Sequence, residues 1–158
     1  GLVVMLPRKG AYVANISVKD LMDVLEIRAS LEGLGASLAA ERRNDEDIKN
    51  LEELEVEFEE AVRTQNIDML LKKDIEFHEC IFKAANNKKL EKMINTLWEQ
   101  VQRFRITYVS DSNASLSLID EHQSILNAIK EGNIADSKKF AIKHIEKAEQ
   151  FMLEHCTK

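Results

Sequence analysis

Asp74, His78, His122 and His144 stand inside the apolar stripes of three separate helical patterns, and all four side chains can ligate a metal ion. A titratable side chain turned into a core is costly unless it is paired or ligated. One carboxylate and three imidazoles doing so together point to one shared charge, and a divalent ion is the economical candidate. Asp74 and His78 are four residues apart, so a helix projects them from one face about 6 Å apart, within reach of one ion. His122 and His144 must then arrive from other helices, as metal sites in bundle cores require. Neutral imidazole nitrogens and one carboxylate suit zinc first, with nickel, manganese or iron(II) also compatible. Four protein ligands leave room for water or substrate oxygens. The fourth histidine, His155, lies roughly 16 Å beyond His144 along a continued helix axis and reads as a surface residue.

The bland alternative has weight, since one histidine on an apolar face is more often a hydrogen-bonded core residue than a ligand. Three of them, with a helical Asp-x-x-x-His, are harder to explain that way. Arg28 and Arg105 also stand in apolar stripes. Arg28 can pair with Glu32 one turn on, and either guanidinium can snorkel outward. Either can instead sit beside a metal and clamp a carboxylate bidentately. Spacing leaves these readings open. Cys80 falls opposite the Asp74 stripe and reads as buried or half-buried. It stands far from Cys156 with no CxxC, so neither a disulfide framework nor a zinc knuckle is indicated.

The elements that must position these residues are helical. Only five Gly and one Pro occur in 158 residues that are 44% hydrophobic and 32% charged, which suits one globular domain with a real core and argues against a turn-rich β fold. The 3.6-residue period predicts six helices, over about Lys19–Ala40, Asp45–Thr64, Asn66 or Asp68 to Asn86, Lys89–Val109, Leu116–Glu131 and Ala135–Glu154. Ser110–Ser115 reads as a polar loop. Glu52, Glu53, Glu57, Glu59 and Glu60 read as a solvated face. Short loops between long helices predict an all-α antiparallel bundle. No apolar run reaches membrane length, no signal peptide is recognisable, and a reducing cytoplasm fits.

The first sixteen residues differ in kind. Leu2-Val3-Val4-Met5 and Ala11-Tyr12-Val13 flank Pro7-Arg8-Lys9-Gly10, which predicts a β-hairpin with a basic tip. A lone hairpin is marginal in water, so it reads as a remnant of a further domain. The net charge of -6 is uneven: residues 1–19 hold Arg8, Lys9 and Lys19 and no acid, and the rest carries -9. An acidic body is a poor polyanion binder, leaving only the basic head for phosphate.

Taken together, these residues resemble a known family. The carriers are Glu26-Ile27-Arg28 with Leu31-Glu32 and Leu38-Ala39-Ala40, then Asp74-x-x-Phe77-His78. Next come Glu121-His122-x-x-Ile125-x-x-Ala128-Ile129-x-x-Gly132 and His144. Over about Val18 to Phe151 the pattern resembles the FCD effector-binding domain of FadR-type regulators in the GntR family of bacterial transcription factors. The head resembles the wing of a winged helix-turn-helix, dividing the chain into a wing remnant (1–16) and a helical effector-binding domain (17–158), with the reading helix before Gly1. Asn133 and Ser137 depart mildly from the family pattern.

The resemblance implies a dimeric helical bundle that binds a small organic acid in a central cavity. In the metal-containing branch an Asp and three His hold the ion, matching Asp74, His78, His122 and His144. It implies Arg28 as the effector's carboxylate partner, to which the stripe position adds Arg105, and operator DNA contacts through the missing domain, with Arg8 and Lys9 at the wing tip. A site that keeps net positive charge favours a small hydroxy- or dicarboxylate over a long acyl chain. A metal-dependent, hydrolase-like enzyme is the competing class, because a metal with open positions can activate water. The chain has neither HExxH nor the paired Glu-x-x-His of di-iron bundles, so catalysis is not expected.

Overall fold

The computed structural model describes residues 3–6, 10–13 and 17–156, with side chains from residue 17 onward except those of Arg103 and Cys156. Six helices form an all-α bundle: α1 (Val18–Arg42), α2 (Asp45–Arg63), α3 (Ile67–Ala84), α4 (Lys88–Ser110), α5 (Ser112–Glu131) and α6 (Ile134–Cys156). Two four-residue strands, β1 (Val3–Leu6) and β2 (Gly10–Val13), pair antiparallel with Val3 opposite Val13. They contact no helix among the described residues. Arg8 and Lys9 lie outside the described residues. No helix is long and apolar enough to cross a membrane.

Polar caps set the helix starts. Ser17 with Asp20, and Asn44 with Asp47, form reciprocal capping boxes for α1 and α2, satisfying backbone N–H groups that a helix start leaves orphaned. Asn66 and Asn87 cap α3 and α4 without the reciprocal bond, their side-chain oxygens accepting from the N–H groups of Met69 and of Lys89 and Leu90. Gly132 ends α5 in the left-handed conformation at φ 72°, which costs glycine little.

One expectation is corrected. Ser110–Ser115 is not a loop: α4 runs to Ser110, α5 begins at Ser112, and Asp111 is the only residue between them. The Asp111 carboxylate accepts from the N–H groups of Asn113 and Ala114, so one residue closes one helix and caps the next. Its Ser and Asn neighbours are helix-starting residues rather than loop residues, and Ala114 and Ser115 are buried.

α1 packs against α3, α4, α5 and α6, while α2 lies on α3 and α5. Two glycines permit the close approach of α1. A Cβ at Gly33 would stand 2.7 Å from Ile142 of α6, and one at Gly35 would stand 2.8 Å from the Phe82 ring of α3.

The core divides into two main apolar clusters. One holds Leu25, Phe58, Leu70, Leu118 and Ile145, and the other holds Ala36, Leu51, Ile81, Ile125 and Ala141. Along five helices the chain crosses from one cluster to the other through polar residues: Arg28 and Glu32 on α1, Glu55 on α2, Asp74 and His78 on α3, His122 on α5, His144 on α6. A polar layer therefore crosses the bundle between two apolar halves.

Candidate metal centre

The layer is buried. Asp74, His78, His122 and His144 are each 5% exposed or less. The helical period that made them stripe residues turns all four inward. One nitrogen from each of His78, His122 and His144 lies within 4.8 Å of the others. Nε2 of His78 and Nε2 of His144 are 3.2 Å apart. The nearer Asp74 oxygen is 3.4 Å from His122 Nε2 and 4.0 Å from His78 Nε2.

The opposite edge of each ring faces a glutamate from another helix. His78 Nδ1 is 3.1 Å from Glu32 of α1, His144 Nδ1 is 2.9 Å from Glu121 of α5, and His122 Nδ1 is 3.5 Å from Glu55 of α2. A hydrogen on Nδ1, turned to the carboxylate, leaves the Nε2 lone pair aimed at the centre. That is how carboxylates prepare imidazoles for a metal. It also turns the lone pairs of His78 and His144 toward each other, which is unfavourable unless a cation lies between or beside them. Both ring nitrogens of His122 lack any hydrogen-bond partner although the ring is fully buried. An orphaned buried imidazole is costly, and a cation at the centre satisfies it. Three imidazoles and a carboxylate suit zinc or a similar divalent ion, so the residues present fit a metal.

The charges around this core are paired. Arg105 of α4 donates to the second Asp74 oxygen through Nε, and Nη2 reaches the Asp74 carbonyl at 3.4 Å. Burial alone raises the Asp74 carboxyl, but Arg105, His122 and His78 outweigh it and hold the group well below the usual carboxylate range. Arg28 donates to Glu32 at 3.0 Å, as its i+4 spacing allowed, and Trp98 donates to the same oxygen at 2.9 Å. The Nε of Arg28 is buried without a partner. Burial dominates at His78 and pushes it down to about 4, against the pull of Glu32. Burial opposes the charged form of His122 too, yet Asp74 and Glu55 together push it up to about 9.

Beside the imidazoles lies a small cavity, about 30 Å³, lined by Arg28, Arg105 and Tyr108 together with apolar Leu21, Val101 and Met152. The structure thus brings together all four proposed ligands and both arginines, with Arg105 engaged by Asp74. His155 stands apart, exposed on α6 and stacked on Phe151 at 4.0 Å between ring centres. Cys80 is buried, and burial pushes its thiol up to about 11.

The sequence reading missed the glutamates facing the rings. Glu32 stood only as a partner for Arg28 and a pattern residue, Glu121 only as a pattern residue, and Glu55 was not singled out. Its signal was phase: Glu55 lies four residues after Leu51 and three before Phe58, on the buried stripe.

Residues 23–147 match the family of the FCD domain. An uncharacterized HTH-type transcriptional regulator of Bacillus subtilis, YdhC, is 23% identical over 145 residues, covering 91% of this chain and 65% of that protein. The HTH-type transcriptional regulator LutR of the same organism is 26% identical, with 96% of this chain and 78% of the relative covered. Among solved structures, Escherichia coli McbR/YncC matches with a TM-score of 0.88 at 17% identity, over 97% of this chain and 77% of that one. The chain thus spans just under two thirds of the length of the first of these relatives.

Proposed function

Since the chain belongs to the FCD domain family, the effector-binding domains of GntR-type regulators, we propose that it is the sensing part of a DNA-binding transcriptional regulator, holding a divalent metal and a small carboxylate effector. The observation that carries this is the convergence of three imidazole nitrogens within 4.8 Å in a buried layer, each ring backed by a glutamate. His78, His122, His144 and Asp74 would hold the ion, zinc being the first choice. Bound there, it would supply Lewis acidity toward the effector's oxygens.

The chain's own residues supply the rest. Counting the buried formal charges, Asp74, Glu32 and Glu55 exceed Arg28 and Arg105 by one, while Glu121 is matched by Lys147 at 2.7 Å. A divalent ion reverses that sign to one net positive charge, which a single carboxylate neutralises. Arg28, with Nε unpartnered, is the side chain free to receive it. The cavity's size and apolar lining favour a compact acid over a long acyl chain. The chain matches regulators rather than enzymes, so the hydrolase-like alternative is set aside.

Two features of the regulator as a whole complete the reading: operator contact through a winged helix-turn-helix to which Arg8 and Lys9 would belong, and a homodimer to match two-fold operators. The test is a thermal-shift screen of small carboxylates on metal-loaded protein, metal-stripped protein and Arg28→Ala. A ligand at a hundredfold excess over Kd stabilises by about 2.7 kcal/mol. Stabilisation should vanish on stripping and fall in Arg28→Ala. An acid that stabilises all three equally binds elsewhere, and this reading fails.

A further inference from the structure

The three glutamates behind the imidazoles are not equivalent. Glu32 accepts from Arg28, Trp98 and His78, and its oxygens are fully engaged. Glu121 accepts from Ser117 and Lys147 besides His144, and Lys147 leads out to solvent. Glu55 has no such support. It is 3% exposed, neither of its oxygens has a hydrogen-bond partner, and only His122 Nδ1 stands near, at 3.5 Å. A carboxylate buried without donors is among the more expensive things a core can hold.

α2 brings no other polar residue to the layer, and it packs on α3 and α5, the helices that carry Asp74, His78 and His122. We propose that Glu55 is a positioning residue for the metal: it holds the His122 ring through Nδ1 and sets a negative charge behind the ring that faces the centre. Through it, metal binding draws α2 onto α3 and α5. The inference rests on the metal reading above and asks what one further side chain does toward that ion. Glu55 touches neither the ion nor the effector cavity. It acts through His122, shortening a 3.5 Å approach into a hydrogen bond when positive charge arrives on the far side of the ring.

The experiment compares wild type, Glu55→Gln and Glu59→Gln, the last on the exposed side of α2, using Co(II) as both ligand and spectroscopic probe. Glu55→Gln should bind Co(II) about ten- to a hundredfold more weakly and alter the ligand-field absorption. Its melting temperature should fall more in metal-loaded than in metal-free protein. Glu59→Gln should match wild type throughout. Equal Co(II) affinity in Glu55→Gln and wild type overturns the proposal, as does an equal loss of stability with and without metal. Absence of Co(II) binding by wild type overturns the metal reading itself. Should Glu55→Gln fail to fold, hydrogen exchange on wild type decides. Metal-induced protection in α2 around Leu51–Phe58 supports the role, and protection confined to α3, α5 and α6 overturns it.

Discussion

His122 and His78 are chemically the same side chain, carried on α5 and α3, yet the layer drives them in opposite directions. His122 faces two carboxylates and is pushed up to about 9, while His78 shares Glu32 with Arg28 and Trp98 and falls to about 4. The ordinary value is 6.5 for both. A raised folded-state value contributes stability that is complete below 6.5 and is lost as pH rises through about 9. A depressed value at a base works the other way: the contribution is present above 6.5 and is lost as pH falls through about 4. Metal-stripped protein is therefore expected to melt highest near pH 6.5 and to weaken on both sides. His122→Phe should flatten the alkaline limb alone. A melting profile indifferent to pH between 6 and 9 would contradict this account. His122→Ala or His144→Ala should abolish stoichiometric metal by elemental analysis, and His155→Ala should not. Spacing sufficed to find Asp74 and the three histidines because a helix repeats. It could not show that Arg105 would be taken by Asp74, since that pair joins α3 to α4 and depends on how two helices face each other.

Helix boundaries were legible wherever a cap wrote them. Asn44, Asn66 and Gly132 each end or begin an element where a backbone group needs a partner or a left-handed turn. Polarity misled at Asp111, because serines and asparagines mark a helix start as readily as a loop. The glycines of α1 are the reverse case: nothing local in the sequence distinguishes Gly35 from a tolerated helical glycine, and only the Phe82 ring at 2.8 Å explains it. Gly35→Ala improves helix propensity by about 1 kcal/mol, yet it drives a methyl into a buried ring. Overpacking of this kind costs about 1–3 kcal/mol. The expected result is a net loss of melting temperature, because the ring sits in a filled core and has nowhere to go. A stabilised Gly35→Ala would show that α1 and α3 have slack between them. The same loss is expected at Gly33, where Ile142 would have to shift.

At the scale of the molecule, an acidic bundle carries a basic head, so the sensing domain by itself should be a poor partner for nucleic acid. Residues 1–158 alone are expected to show no sequence-specific operator binding at physiological salt, whereas a chain extended by a winged helix-turn-helix should bind. Salt-resistant operator binding by residues 1–158 would contradict the assignment of DNA contact to that domain. Light scattering should report a homodimer. The fold class was legible because composition and period agree on helices throughout. The polar layer as a whole was not, since it exists only once the elements are side by side.

That layer has a consequence for how the protein comes apart. It separates two apolar clusters along five helices, so at that level the helices meet largely through polar groups whose energy depends on what lies among them. With an ion present they should melt as one cooperative unit, and the calorimetric and van't Hoff enthalpies should agree. Stripped of it, the calorimetric enthalpy should exceed the van't Hoff value, as two weakly coupled halves give way in turn. A single two-state transition in both forms would mean that the helices alone hold the halves together, and that the ion is a passenger in the fold.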